Sequence, residues 1–113
     1  MLEKYVVGMS GVIDVNAAHT GEEYEAALRQ IEEEISLIKE VRPDVLCMVD
    51  NCYGEFVETV EPSNVGADMI VGSLIKNPGG GLAPIGGYIC GAKACVDRCA
   101  YRLSAPGLGQ EVG

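Results

Sequence analysis

Tryptophan is absent from this chain, phenylalanine occurs once and histidine once. Packing therefore has to come from Val, Ile, Leu, Ala and Met rather than from large rings. Basic residues are scarce: 8 Lys and Arg stand against 17 Asp and Glu, for a net charge of −9. A surface this acidic repels a phosphate backbone, which argues against nucleic-acid binding. No apolar run approaches the roughly 20 residues needed to span a bilayer. The start, Met1 to Val7, carries an early acid and too short an apolar stretch for a secretory signal. A soluble, cytoplasmic protein is expected. Five cysteines contain no CxxC pair, and His19 is far from all of them in sequence, so no metal site is expected. Cys47 and Cys90 sit inside apolar runs, where cysteine acts as a small hydrophobe.

What is present is a chain of one-domain length, 113 residues, of which 48% are hydrophobic. Its 15 glycines cluster between elements of the second half, a pattern of sharp turns and close backbone approach. Tyr5–Val7 and Gly11–Ile13 read as short strands. Thr20-Gly21-Glu22-Glu23 matches a capping box. Behind it Tyr24, Ala27, Leu28, Ile31, Ile35 and Ile38 recur at three- and four-residue steps, giving an amphipathic helix with Glu32-Glu33-Glu34 on its wet side. Pro43 stops that helix near Val41.

Val45–Val49 is a continuous apolar run and reads as a strand covered on both faces. Residues Phe56–Val60 read as a turn of helix ended by Glu61-Pro62. Ala67–Leu74 reads as a second buried strand, Gly86–Gly91 as a third, and Ala92–Arg102 as a closing helix. An irregular tail follows from Ser104. Helix, loop and buried strand together predict an α/β fold with a mostly parallel sheet. Asp50 ends the first strand and Lys76 follows the second, so both are expected at the carboxyl edge of the sheet, where open α/β folds bind ligands.

Four residues there carry candidate chemistry. Lys76, desolvated at a strand end, would have a lowered pKa and an amine ready to form a Schiff base; it would otherwise be an ordinary surface lysine. Asp50 is either turn chemistry or a carboxylate facing a pyridine nitrogen. Tyr53 is a core aromatic or a hydrogen-bond donor, and Ser73 a cap or a phosphate ligand. Ser73-Leu74-Ile75-Lys76 also fits a serine–lysine acyl-transfer motif, but the companion Ser-Asp-Asn and Lys-Thr-Gly elements are missing.

Several blocks in order resemble one family. They are Val-Asp-Asn-Cys-Tyr-Gly-Glu-Phe-Val-Glu (49–58), Gly-Ala-Asp (66–68), Gly-Ser-Leu-Ile-Lys-Asn-Pro-Gly-Gly-Gly (72–81), Gly-Gly-Tyr-Ile (86–89) and Ala-Tyr-Arg-Leu-Ser-Ala-Pro-Gly (100–107). Residues 45–109 resemble part of a fold-type-I pyridoxal-phosphate enzyme, of the methionine γ-lyase-like, aluminium resistance protein group. The resemblance implies a three-layer large domain and pyridoxal 5′-phosphate as cofactor. It implies Lys76 as the Schiff-base lysine and proton mover, Asp50 on the pyridinium nitrogen, Ser73 on the phosphate and Tyr53 on the ring hydroxyl. It further implies carbon–sulfur lyase activity on sulfur amino acids and a homo-oligomer with shared active sites. Family members are several times longer. Residues 1–113 are thus expected to be a partial domain, the central part of the cofactor-binding domain, with exposed strand edges. The alternative is a non-catalytic piece that folds or self-associates without activity of its own.

Overall fold

The computed structural model describes residues 21–103 together with Leu108 and Glu111. The two N-terminal strands, the Thr20 cap and the tail from Ser104 to Gly107 lie outside the described residues.

Helix α1 spans Gly21–Val41 and buries Tyr24, Leu28, Ile31 and Ile35 along one stripe, the face that the three- and four-residue spacing predicts. Glu22 and Glu23 lie in its first turn and Lys39 in its last, each on the side the helix dipole favours. The Arg42 amide makes a last bond to the Ile38 carbonyl at 2.7 Å before Pro43 turns the chain away.

Strand β1, Met48–Asp50, is shorter than the apolar run. The carbonyls ahead of it are already engaged: that of Val45 accepts the Lys39 amine, and that of Cys47 accepts the amides of Asp68 and Met69. The expectation of cover on both faces is also corrected. Cys47 is buried and Val49 packs on the core, whereas Leu46 and Met48 are half or more exposed. Among the described residues only one face of this segment has a layer against it.

Residues 51–61 do not form the expected helical turn over Phe56–Val60. Tyr53 and Phe56 both adopt positive φ, 70° and 63°, and each breaks the right-handed run a helix needs. A 3-10 helix follows instead over Pro62–Val65. Strand β2, Met69–Ser73, lies parallel to β1, with Asp50 opposite Val71. Strand β3, Gly87–Gly91, pairs antiparallel with β2. The described sheet is therefore mixed, in order β1-β2-β3, rather than mostly parallel. A return through turns and one short 3-10 helix, Asn77–Gly79, has no crossover helix to bring β3 back in the same direction. Gly72 faces the Tyr88 ring, and a Cβ there would overlap it. Helix α2, Lys93–Leu103, closes the described fold.

The core joins Ile31 and Ile35 of α1 to Cys47, Ala67 and Ile70. Adjacent strand residues face opposite ways. Ile70 is in that core, while Met69 accepts the Cys99 thiol of α2 at 3.6 Å. The helices thus lie on opposite faces of the sheet. Cys95 and Cys99 both lie on α2, the first buried and the second half-buried. Among the described residues no cluster could hold a metal ion, and no helix is long and apolar enough to cross a membrane.

Two ties fix the strands to α1. Asp68 Oδ2 accepts from Lys39 Nζ at 2.7 Å and from the Cys47 amide at 2.8 Å. Lys39 also donates to the Val45 carbonyl at 2.6 Å.

Candidate functional site

Parallel pairing of β1 with β2 brings their carboxyl ends to one edge, with Asp50 at the end of the first and Lys76 three residues beyond the second. Because Asp50 registers with Val71, the side chains of Asp50, Val71 and Ser73 share one face of the sheet. The sequence expectation that acid and lysine meet at this edge is what the fold produces.

Between them stands a residue the sequence reading passed over. The Cys52 amide donates to Asp50 Oδ1 at 3.1 Å. The Cys52 side chain lies near enough to both Asp50 and Lys76 to shift the titration of each. Hydrogen bonds from the Cys52 thiol and amide, aided by the Lys76 charge, hold the Asp50 carboxyl below its ordinary range. The Asp50 carboxylate and burial push the Cys52 thiol up, against the pull of Lys76. This thiol is therefore not an activated nucleophile.

The expected lowering of the Lys76 pKa is not found. The hydrogen bond to Cys52, and then the charges around it, push the amine up and outweigh desolvation. The strand-end position desolvates Lys76 only in part, because β2 stops at Ser73 and the half-buried lysine sits in the turn after it. Its Nζ lies 4.5 Å from the centre of the Tyr53 ring, within cation–π range. Cys52→Ala removes the largest cause of the upward shift. Its expected result is a Lys76 amine that titrates at lower pH, read by 13C NMR of the labelled lysine side chain. An unmoved or raised titration would contradict the Cys52 contact.

Tyr53 reaches the lysine because its loop is pinned in left-handed backbone. Such conformations cost about 1–3 kcal/mol each in non-glycine residues and persist only when other contacts impose them. Asn77, next to Lys76, donates Nδ2 to the carbonyls of Tyr53 at 3.1 Å and Glu55 at 2.9 Å. Glu61 accepts the Phe56 amide at 3.1 Å and the buried Asn51 side chain at 2.8 Å. Ser73 Oγ accepts the Ile75 amide at 3.4 Å, so its local turn role is visible. The turn role of Asp50 is visible too, in the same bond that orders Cys52. Cys52 and Asn77 could have been singled out from their places in Asp-Asn-Cys and Lys-Asn-Pro, each within two residues of a candidate.

With this geometry in view, comparison with known proteins is specific. The family model for methionine gamma-lyase matches residues 12–113. The chain belongs to the methionine gamma-lyase family. Within it, a carbon-sulfur lyase involved in aluminium resistance from Clostridium novyi NT is 54% identical. The match covers 73% of this chain and 20% of that one, with a TM-score of 0.69. A candidate cystathionine beta-lyase involved in aluminium resistance from Listeria monocytogenes is 60% identical, covering 76% and 21% with a TM-score of 0.72. YnbB of Bacillus subtilis, which is uncharacterized, is 52% identical over 86 residues, 76% of this chain and 20% of its own. The methionine gamma-lyase relatives are thus much longer: the chain spans about a fifth of these three.

The family makes a cofactor-dependent lyase the natural setting for this edge, and the residues can be tested against pyridoxal phosphate. That group needs an amine for its aldehyde, an ionised carboxylate for its ring nitrogen and donors for its phosphate. Lys76 would supply the amine, and Asp50, its carboxyl held below the ordinary range, would supply the carboxylate. For the phosphate there is the Ser73 hydroxyl on the Asp50 face of the sheet. The donor set fits the reactive end of the cofactor.

Proposed function

We propose that this chain carries the cofactor-holding edge of a pyridoxal-phosphate-dependent carbon–sulfur lyase acting on sulfur-containing amino acids, within a fold-type-I large domain. The observation that carries the reading is the placing of Asp50 and Lys76 at the shared carboxyl edge of two parallel strands, with Cys52 on Asp50 through its amide. Family membership and the carbon-sulfur lyase relative support it.

In this reading Lys76 would hold the cofactor at its aldehyde and would move the proton at the substrate α-carbon. Asp50 accepts a hydrogen bond from the protonated ring nitrogen. Ser73 serves the phosphate and Tyr53 the ring hydroxyl. The bound group supplies an electron sink for the pair of electrons left at the α-carbon. The chain's own residues prepare for that in definite ways. Cys52 favours the ionised form of both Asp50 and Lys76. Asn77 and Glu61 hold the loop that presents Tyr53. A homo-oligomer with sites shared between subunits completes the reading, in a cytoplasmic setting.

A second reading has its own observation. Leu82, Ile85 and Phe56 are 90%, 80% and 75% exposed. Large apolar side chains left in water favour self-association, and the 113-residue chain by itself would then assemble without catalysing a reaction.

Titrating the purified chain with pyridoxal phosphate, followed by visible absorbance, separates the two. Saturable yellow binding is expected, and Asp50→Ala should weaken it roughly tenfold, the worth of one charge-assisted hydrogen bond. Non-saturable uptake, unchanged in Asp50→Ala, would leave only the second reading.

A further inference from the structure

A separate hollow lies on the α1 face of the sheet, where Ile70 and Tyr88 join the core. Its volume is about 330 Å³, and Ile70, Leu74, Pro78 and Phe56 give it apolar walls. Its polar members are unevenly satisfied. Glu61 has both oxygens engaged, by the Phe56 amide and the Asn51 side chain. Glu55 does not. It is 4% exposed, its Oε1 accepts the Tyr88 hydroxyl at 2.9 Å, and its Oε2 has no hydrogen-bond partner among the described residues.

A buried acceptor without a donor is costly, and more so on a carboxylate. The last torsion of a glutamate is soft, so that oxygen can turn toward an incoming donor if the Tyr88 hydroxyl follows Oε1 as it swings. Among the described residues no lining side chain is cationic, and two are acids. The field therefore favours a positive head and disfavours any group carrying its own carboxylate, a free amino acid included. The apolar walls favour an aliphatic stem behind that head.

We propose that this hollow is a binding site for an aliphatic primary ammonium group, whose head hydrogen-bonds Glu55 and whose stem packs on Ile70, Leu74 and Phe56. The occupant is a monoamine or a lysine-like side chain. It is not the zwitterionic substrate proposed for the Lys76 edge, and the site uses neither Lys76 nor Asp50. The Tyr24 hydroxyl lies in the same acidic interior, also unpartnered, and is pushed up to about 12 by burial and by Glu61, Glu55 and Glu58. A cation at Glu55 would relieve that crowding of negative charge.

The test is a 15N–1H NMR titration of the full chain with n-butylammonium, alongside n-butanol and butyrate at matched ionic strength. Saturable shifts at Glu55, Leu74 and Tyr88 are expected with the ammonium, at roughly tenfold higher affinity than with the alcohol. Butyrate should give none. Glu55→Gln keeps the shape and should abolish the preference for the ammonium. Equal response to ammonium and alcohol, or no saturable response, overturns the proposal. That comparison is made on the unaltered chain, so it decides the matter even if Glu55→Gln does not fold.

Discussion

Lys76→Ala should abolish borohydride-trapped pyridoxal phosphate at a defined site while leaving the circular dichroism of the chain unchanged. The side chain lies in the turn after β2 and contributes no packing to the core, so its removal leaves the fold intact. The other described lysines are poor substitutes. Lys39 is held by Asp68 and the Val45 carbonyl, and Lys93 pairs with Asp97 at 2.6 Å. Neither stands beside a carboxylate at the sheet's carboxyl edge. Peptide mapping of the trapped adduct should therefore place the label on residue 76 in the unaltered chain and find only weak, scattered labelling in the variant. Loading should also quicken with rising pH, because Cys52 holds the amine protonated and only the free amine attacks an aldehyde. A cofactor spectrum unchanged in Lys76→Ala would sink the assignment of this residue.

The second large effect is on stability. Asp68→Ala should lower the unfolding free energy by about 2–4 kcal/mol, since it removes a charge-assisted bond and leaves both Lys39 and the Cys47 amide without their acceptor. For a domain of ordinary stability, roughly 5–15 kcal/mol, that is a large share. Asp68→Asn keeps an acceptor for the Cys47 amide and should cost less, about 1 kcal/mol. Urea unfolding with an unchanged slope and a shifted midpoint would register both. The pH dependence follows from the two shifts. Burial pushes the Asp68 carboxyl up, but the Cys47 amide and Lys39 outweigh it and hold the group below 3.8. The tie is then complete above that value and is lost as pH falls through the lower folded value. Lys39 is raised above 10.5, first by its bond to Asp68, so its share is complete below 10.5 and is lost at higher pH. The difference between the unaltered chain and Asp68→Ala should be flat between these limits and shrink outside them. A difference independent of pH at both ends would remove the ion pair from the account.

Much of this was legible in the residues. The α1 stripe from Tyr24 to Ile35 is written in its spacing, and Pro43 marks its end. The meeting of Asp50 with Lys76 follows from two apolar runs ending in charge. What was not legible depends on partners far apart in the chain. The shortening of β1 comes from carbonyls claimed by Lys39, Asp68 and Met69, and no local pattern announces that. The left-handed Tyr53 and Phe56 look like ordinary aromatics in sequence. Their backbone is imposed by Asn77 and Glu61, 24 and 5 residues away. The lysine pKa went the other way for the same reason: burial can be guessed from an apolar run, whereas a thiol across the strand gap cannot.

The close contact between Gly72 and the Tyr88 ring has a meaning for inheritance. A side chain there would displace the Tyr88 ring, and with it the hydroxyl that closes one oxygen of Glu55. Positions 55, 72 and 88 thus form a single heritable unit spread over a loop and two strands. A lineage that enlarges residue 72 has to give up the tyrosine, and then has little reason to keep the buried acid.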